Sequence, residues 1–163
     1  MPLAGIQVTP CMRFLVMVSP QARKLVRERA RSLCEYCHSP EYLNSDRFTM
    51  EHLVPQSLGG TDEVHNLALA CSRCNSRRYN FMTGIDPETK LEVTLFNPRQ
   101  QQWLEQYVWS VNRLQIVGKT AIGRATCHRL DLNDDRHNER FIIRARALWL
   151  RGGWHPPDRD PCL

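Results

Sequence analysis

Apolar residues in the first half of the chain change period twice, and each change marks a different element. Ala22, Leu25, Val26, Ala30 and Leu33 recur at helical spacing behind Ser19, a capping residue, and Pro20, which suits a first helical position. The spacing predicts a helix that delivers the chain to Cys34. Its other face carries Arg23, Lys24, Arg27 and Arg31, which reads equally well as a solvated face and as a surface turned towards phosphates. Short apolar runs follow at residues 48–54, ending at Pro55, and at 66–70, entering Cys71, with Gly59-Gly60-Thr61-Asp62 supplying turn chemistry between them. They predict strand, loop, strand. Residues 75–82 can continue as a helix that stops at Gly84, before a turn forced by Asp86-Pro87.

The second half is patterned more weakly. Residues 103–109 and 114–117, separated by a polar break at 110–113, predict a β-hairpin, and residues 120–130 a short helix. Asn133 is placed to cap a further helix from Asp134 to about Arg151, which Gly152-Gly153 would end. Arg136, Arg140 and Arg144 would form a stripe on that helix, either tracking a phosphate backbone or simply solvated opposite Ile142, Ala145 and Trp149. The tail from His155, with Pro156, Pro157 and Pro161, should be irregular. The chain thus divides into residues 1–18, a mobile leader or short added strand; residues 19–90, a core; and residues 91–163, an extension packed on that core.

Composition narrows the function classes. A chain of 163 residues with 42% hydrophobic content fits one domain or a small core with an appended lobe. Twenty-two Lys and Arg against 17 Asp and Glu give +5, with a pI near 9.0, which favours a polyanionic partner. No run approaches the roughly 18 apolar residues of a membrane span. The N-terminus lacks a charged region followed by a sustained apolar run and a small-residue cleavage site. Seven cysteines are therefore expected in a reducing cytoplasm, where paired thiols bind metal rather than each other.

Four of those cysteines form two Cys-x-x-Cys pairs, Cys34 with Cys37 and Cys71 with Cys74. Such spacing can close a tetrahedral zinc site, although the pairs lie further apart than in a simple zinc ribbon. Between them stand a carboxylate and an imidazole at Glu51-His52 and an amide at Asn66, groups suited to hydrolytic chemistry. Cys11, Cys127 and Cys162 have no such partner and read as isolated thiols, while His128, His137 and His155 lack a metal-ligand pattern. His38 and His65 are expected in solvent or beside the site.

The run EHLVPQSLGGTDEVHNLALACSRCNSRR, with its flanking cysteine pairs, resembles the HNH endonuclease motif in its zinc-stapled form. The resemblance covers roughly residues 34–80 and implies an α+β fold: a ββα-metal core stapled by a four-cysteine zinc site, with an N-terminal helix and a C-terminal extension of hairpin and helices. It makes His52, Asn66 and Asn75 the three letters of the motif, with Asn75 where many relatives have His and Glu51 where most have Asp. By this resemblance the protein cuts DNA, double-stranded and with weak sequence preference, leaving 5′ phosphate and 3′ hydroxyl ends. RNA is also chemically accessible, because the reaction does not use the 2′ hydroxyl.

Each implied role has a physical reason. A neutral imidazole can take the proton of an attacking water, which makes His52 the expected general base. Glu51 and Asn75 offer oxygen ligands suited to magnesium or manganese, leaving positions for water and phosphate. Asn66 is expected to position the loop that aims His52. Strict alternation along a strand puts Glu51 and His52 on opposite faces, so one site needs the strand to end or bend there. Arg73, Arg77 and Arg78 are expected beside a scissile phosphate, contacting backbone rather than bases. The alternatives are Glu51 as surface charge, Asn66 as a turn former and Asn75 as a helix cap. For the whole chain they are a catalytically silent zinc-stabilised DNA-binding or adaptor module, or a zinc domain for protein interaction.

Overall fold

The computed structural model describes residues 18–136 and 140–158. Residues 1–17, with the leader and Cys11, and residues 137–139 and 159–163, with His137, Pro161 and Cys162, lie outside the described residues. Helix α1, Pro20–Arg29, begins as its sequence suggests, with Ser19 Oγ accepting the Ala22 N–H at 3.1 Å. Ala22, Val26, Ala30 and Leu33 are buried, whereas Leu25 is exposed. Its basic face is partly committed inside the molecule. Arg27 grips the Glu41 carboxylate with two nitrogens and also donates to the Phe48 carbonyl, while Arg23 donates to that of Val18.

Strands β1, Thr49–His52, and β2, Leu67–Ala70, pair antiparallel from Thr49 opposite Ala70 to His52 opposite Leu67. All four residues of β2 are buried, which fixes the register, because a one-residue slip would turn its Leu side chains the other way. Between the strands the loop turns at Gly59, with φ of 88°, and at Gly60. A Cβ on Gly60 would sit 1.7 Å from the Val54 carbonyl oxygen, so no other residue allows this approach.

Helix α2, Ser72–Arg78, follows β2 directly. It corrects the expectation of a helix over 75–82: the helix starts three residues earlier and ends at Arg78, because that side chain is pinned to β1 and the chain reverses at Tyr79, where φ is 49°. Gly84 does not stop a helix but lies in β3, Thr83–Ile85, paired with β4, Glu92–Thr94. The Asp86-Pro87 turn joins them. Hydrogen bonds from Arg124 hold the Asp86 carboxyl well below the usual range, and the same carboxylate accepts from Glu88 and Thr89.

The remaining chain forms a one-turn helix α3, Trp103–Gln106, a hairpin of β5, Tyr107–Trp109, and β6, Ile116–Gly118, then α4, Ala121–Leu130, and α5, Phe141–Arg151. The hairpin is therefore shorter than expected, its first four residues being helical. The last helix begins at Phe141 rather than Asp134. Asn133 does not cap it but brackets the Ile116 backbone with both amide atoms, whereas the Asp134 carboxylate accepts the Phe141 N–H. Arg136 lies outside the helix and Arg140 is its left-handed flanking residue, so the expected arginine stripe does not form. One hydrophobic cluster runs from Val26, Tyr36 and Leu69 through Phe96 and Trp103 to Ile116 and Leu132, joining both halves. The fold is α+β, with three two-stranded antiparallel sheets among the described residues, the first of them within the ββα unit.

Candidate active site

The two cysteine pairs meet at one end of the ββα unit. A tight turn after Leu33, closed by His38 N–H on the Cys34 carbonyl, brings Cys34 and Cys37 together; Cys71 and Cys74 stand on the first turn of α2. The four Sγ atoms lie within 4.8 Å of one another and all four residues are buried. Cys37 and Cys71 are 3.7 Å apart. A zinc ion with Zn–S bonds of about 2.3 Å needs sulfur–sulfur edges of about 3.8 Å, so this donor set fits zinc in both chemistry and spacing. Burial lifts the Cys34 thiol well above its ordinary range and hydrogen bonding with Cys34 lifts Cys74, while the bonds aimed at Cys37 hold it well below. Protons cannot leave all four sulfurs until a cation compensates them. His38 is not in solvent: it is buried and stacked on Trp103 at 4.3 Å between ring centres.

At the other end of the unit an open cleft of about 310 Å³ is lined by Met50, Glu51, His52, Pro55, Gln56, Ser57, Asn75, Tyr79 and Asn80. His52 is the last residue of β1, and beyond it the chain leaves the sheet, which lets Glu51 and His52 border the same space. His52 Nε2 lies 2.6 Å from Asp62 Oδ1. Gln56 Nε2 donates to the same oxygen at 2.9 Å, fixing the carboxylate. In the tautomer that donates Nε2–H to Asp62, Nδ1 is left as the acceptor. Asp62 is the residue that sequence reasoning missed: it appeared there only as part of a turn.

Asn66 is buried and makes three hydrogen bonds, its oxygen accepting the Val54 N–H and its nitrogen donating to the Val54 and Thr61 carbonyls. It ties the segment after β1 to the one that carries Asp62. Asn75 is half-buried within α2, its N–H bonded to the Cys71 carbonyl, so it is not a helix cap.

Glu51 is buried rather than a surface charge. Its Oε1 accepts from Arg78 at 2.7 Å, and the buried Tyr36 hydroxyl also bears on this carboxylate, pulling against the effect of burial. Burial pushes its carboxyl up to about 7, against the pull of the Arg78 guanidinium. Arg78 also donates to the His52 and Leu53 carbonyls. The arginines of α2 are thus not presented to a phosphate as expected. Arg73 and Arg77 both pair with Asp134, at 3.1 and 2.8 Å, across the seam to the C-terminal half.

No described helix is long and apolar enough to cross a membrane. No curated protein and no solved structure matches the chain. Residues 34–81, less than a third of it, match the family model described as HNH endonuclease. That segment opens on Cys34, contains both strands and α2, and holds the buried four-cysteine cluster together with the cleft. Residues 34–81 thus match the HNH endonuclease family model, and their four-cysteine cluster fits its zinc-stapled form.

Proposed function

We propose that this protein is a metal-dependent endonuclease that hydrolyses DNA phosphodiester bonds, with His52 as the general base. The observation that carries the reading is that His52, held by Asp62, lines a cleft together with Glu51 and Asn75. Asp62 holds the imidazole in the tautomer whose Nδ1 accepts a proton from water, and Asn66 holds the loop that carries Asp62. The Glu51 carboxylate and the Asn75 amide, which both line the cleft, offer an oxygen donor set suited to magnesium or manganese. When bound, such an ion supplies positive charge for the phosphorane and the departing 3′ oxygen. The net charge of +5 favours a polyanionic substrate, double-stranded DNA foremost. We assign the nuclease unit to residues 19–90 and a bracing role to residues 91–163, and place the protein in the cytoplasm, where four thiols stay reduced.

A plasmid-nicking assay with magnesium tests this. Wild type should convert supercoiled DNA to nicked or linear forms and His52→Ala should not; equal conversion by both overturns the assignment. One observation favours a second reading. Arg78 already occupies one oxygen of Glu51, as it would in a silent adaptor that binds DNA without cutting it. That reading predicts no conversion by either protein, with salt-sensitive DNA binding retained by both.

A further inference from the structure

Tyr79 ends α2 in a conformation that a bulky side chain avoids. Its φ of 49° and ψ of −129° are those of the first corner of a type II′ turn, where glycine is the usual occupant. The turn is closed by the Phe81 N–H on the Arg78 carbonyl at 3.0 Å. Strain of this kind persists where surrounding structure imposes it, and it clusters at binding and catalytic sites.

Packing within the molecule does not explain the ring. Tyr79 is 68% exposed, and the aromatic ring beside it, Phe81 at 6.3 Å between centres, is itself 45% exposed. The Arg129 guanidinium lies over Phe81, 3.4 Å from its centre, which adds positive charge to this aromatic ridge. Tyr79 and Asn80 form the wall of the cleft that Glu51, His52 and Asn75 also line. A large planar side chain is therefore held, at conformational cost, in water and at the edge of the candidate active site.

We propose that Tyr79 is a stacking platform for an unpaired nucleobase adjoining the phosphodiester at His52, so that the preferred substrate has a base out of the duplex at that point. The inference rests on the endonuclease reading of the cleft. Every base has a π-face, so the platform discriminates unstacked from stacked bases without reading sequence. The phosphate attraction of a basic protein would not make that distinction.

The test compares a short single-stranded oligonucleotide with an abasic strand of the same length, by fluorescence anisotropy. It uses the zinc-loaded full chain in a His52→Ala background, without added divalent ion. The parent should bind the base-bearing strand about tenfold more tightly. Tyr79→Gly and Tyr79→Asn should lose that preference while binding the abasic strand as before, and Tyr79→Phe and Tyr79→Trp should keep it. Tyr79→Gly should also melt higher, by about 2–4 °C, because the turn is relaxed. Retention of the preference in both Tyr79→Gly and Tyr79→Asn overturns the proposal, as does a parent that shows none. Plasmid cleavage by the His52-intact protein is scored separately, so a failure here is distinguishable from a failure of the endonuclease reading.

Discussion

The two ends of the ββα unit are built on opposite plans. At the cysteine end four buried sulfurs lie within 4.8 Å of one another, and the donor set is closed. At the cleft end the lining side chains offer oxygen and nitrogen, and the space is open. A closed thiolate site suits an ion that holds structure together, whereas an open oxygen site leaves room for water and a phosphate. Within one short unit, a closed sulfur cluster and an open polar cleft are thereby kept apart.

Removing the ion from the cysteine pole should have the largest effect. Chelation of zinc, or Cys71→Ser, should abolish the cooperative melting transition and all cleavage, since structural zinc sites contribute on the order of 10 kcal/mol to folding. A protein that keeps its circular dichroism and melting profile after complete zinc loss would erase the contrast. At the other pole the effect should be purely chemical. His52→Ala should lower cleavage by roughly 10²–10⁴-fold with little change in melting temperature.

Glu51 sharpens the comparison through pH. Its carboxyl titrates near 7 in the fold, above the ordinary value of 4.5. A raised folded value means that the folded state holds the proton more tightly than the unfolded chain. The stabilisation is full below about pH 4.5 and is lost as pH rises to about 7, by about 3 kcal/mol for the metal-free cleft. Wild type should therefore lose stability relative to Glu51→Gln across that window in urea titrations, and added magnesium should restore wild type alone. A constant difference between the two would show that Glu51 does not titrate there. The smallest expected effect is that of Asp62→Asn, about tenfold in kcat with KM little changed if His52 is the base, since the imidazole remains and only its hydrogen-bond partner changes. Imidazole nitrogen chemical shifts should show the two tautomers mixed in that variant.

Sequence legibility follows how local each cause is. Ser19 and Pro20 announce α1 because capping is settled within four residues, and the cysteine pairs announce their cluster because i, i+3 spacing is a property of the local chain. Arg78 could not be read the same way. It looked like a phosphate contact, yet its partners are Glu51 and two carbonyls that only the folded strand brings near. The early end of α2 was hidden for the related reason that tyrosine gives no cue for a left-handed turn. Asp134 misled similarly: a residue expected inside α5 instead binds the first N–H of that helix from outside, and also holds Arg73 and Arg77. Arg146, buried within α5, donates to the Leu114 and Leu132 carbonyls, and nothing in a stretch rich in arginine distinguishes it from its exposed neighbours.

Cys74 and Asn75 are consecutive residues of a helix only seven residues long. A segment so short turns and tilts as one piece, like a key whose bow and bit cannot be twisted apart. A shift of the helix that adjusts sulfur geometry at Cys74 therefore also moves the Asn75 amide, so substitutions that retune the cysteine cluster reach the cleft as well.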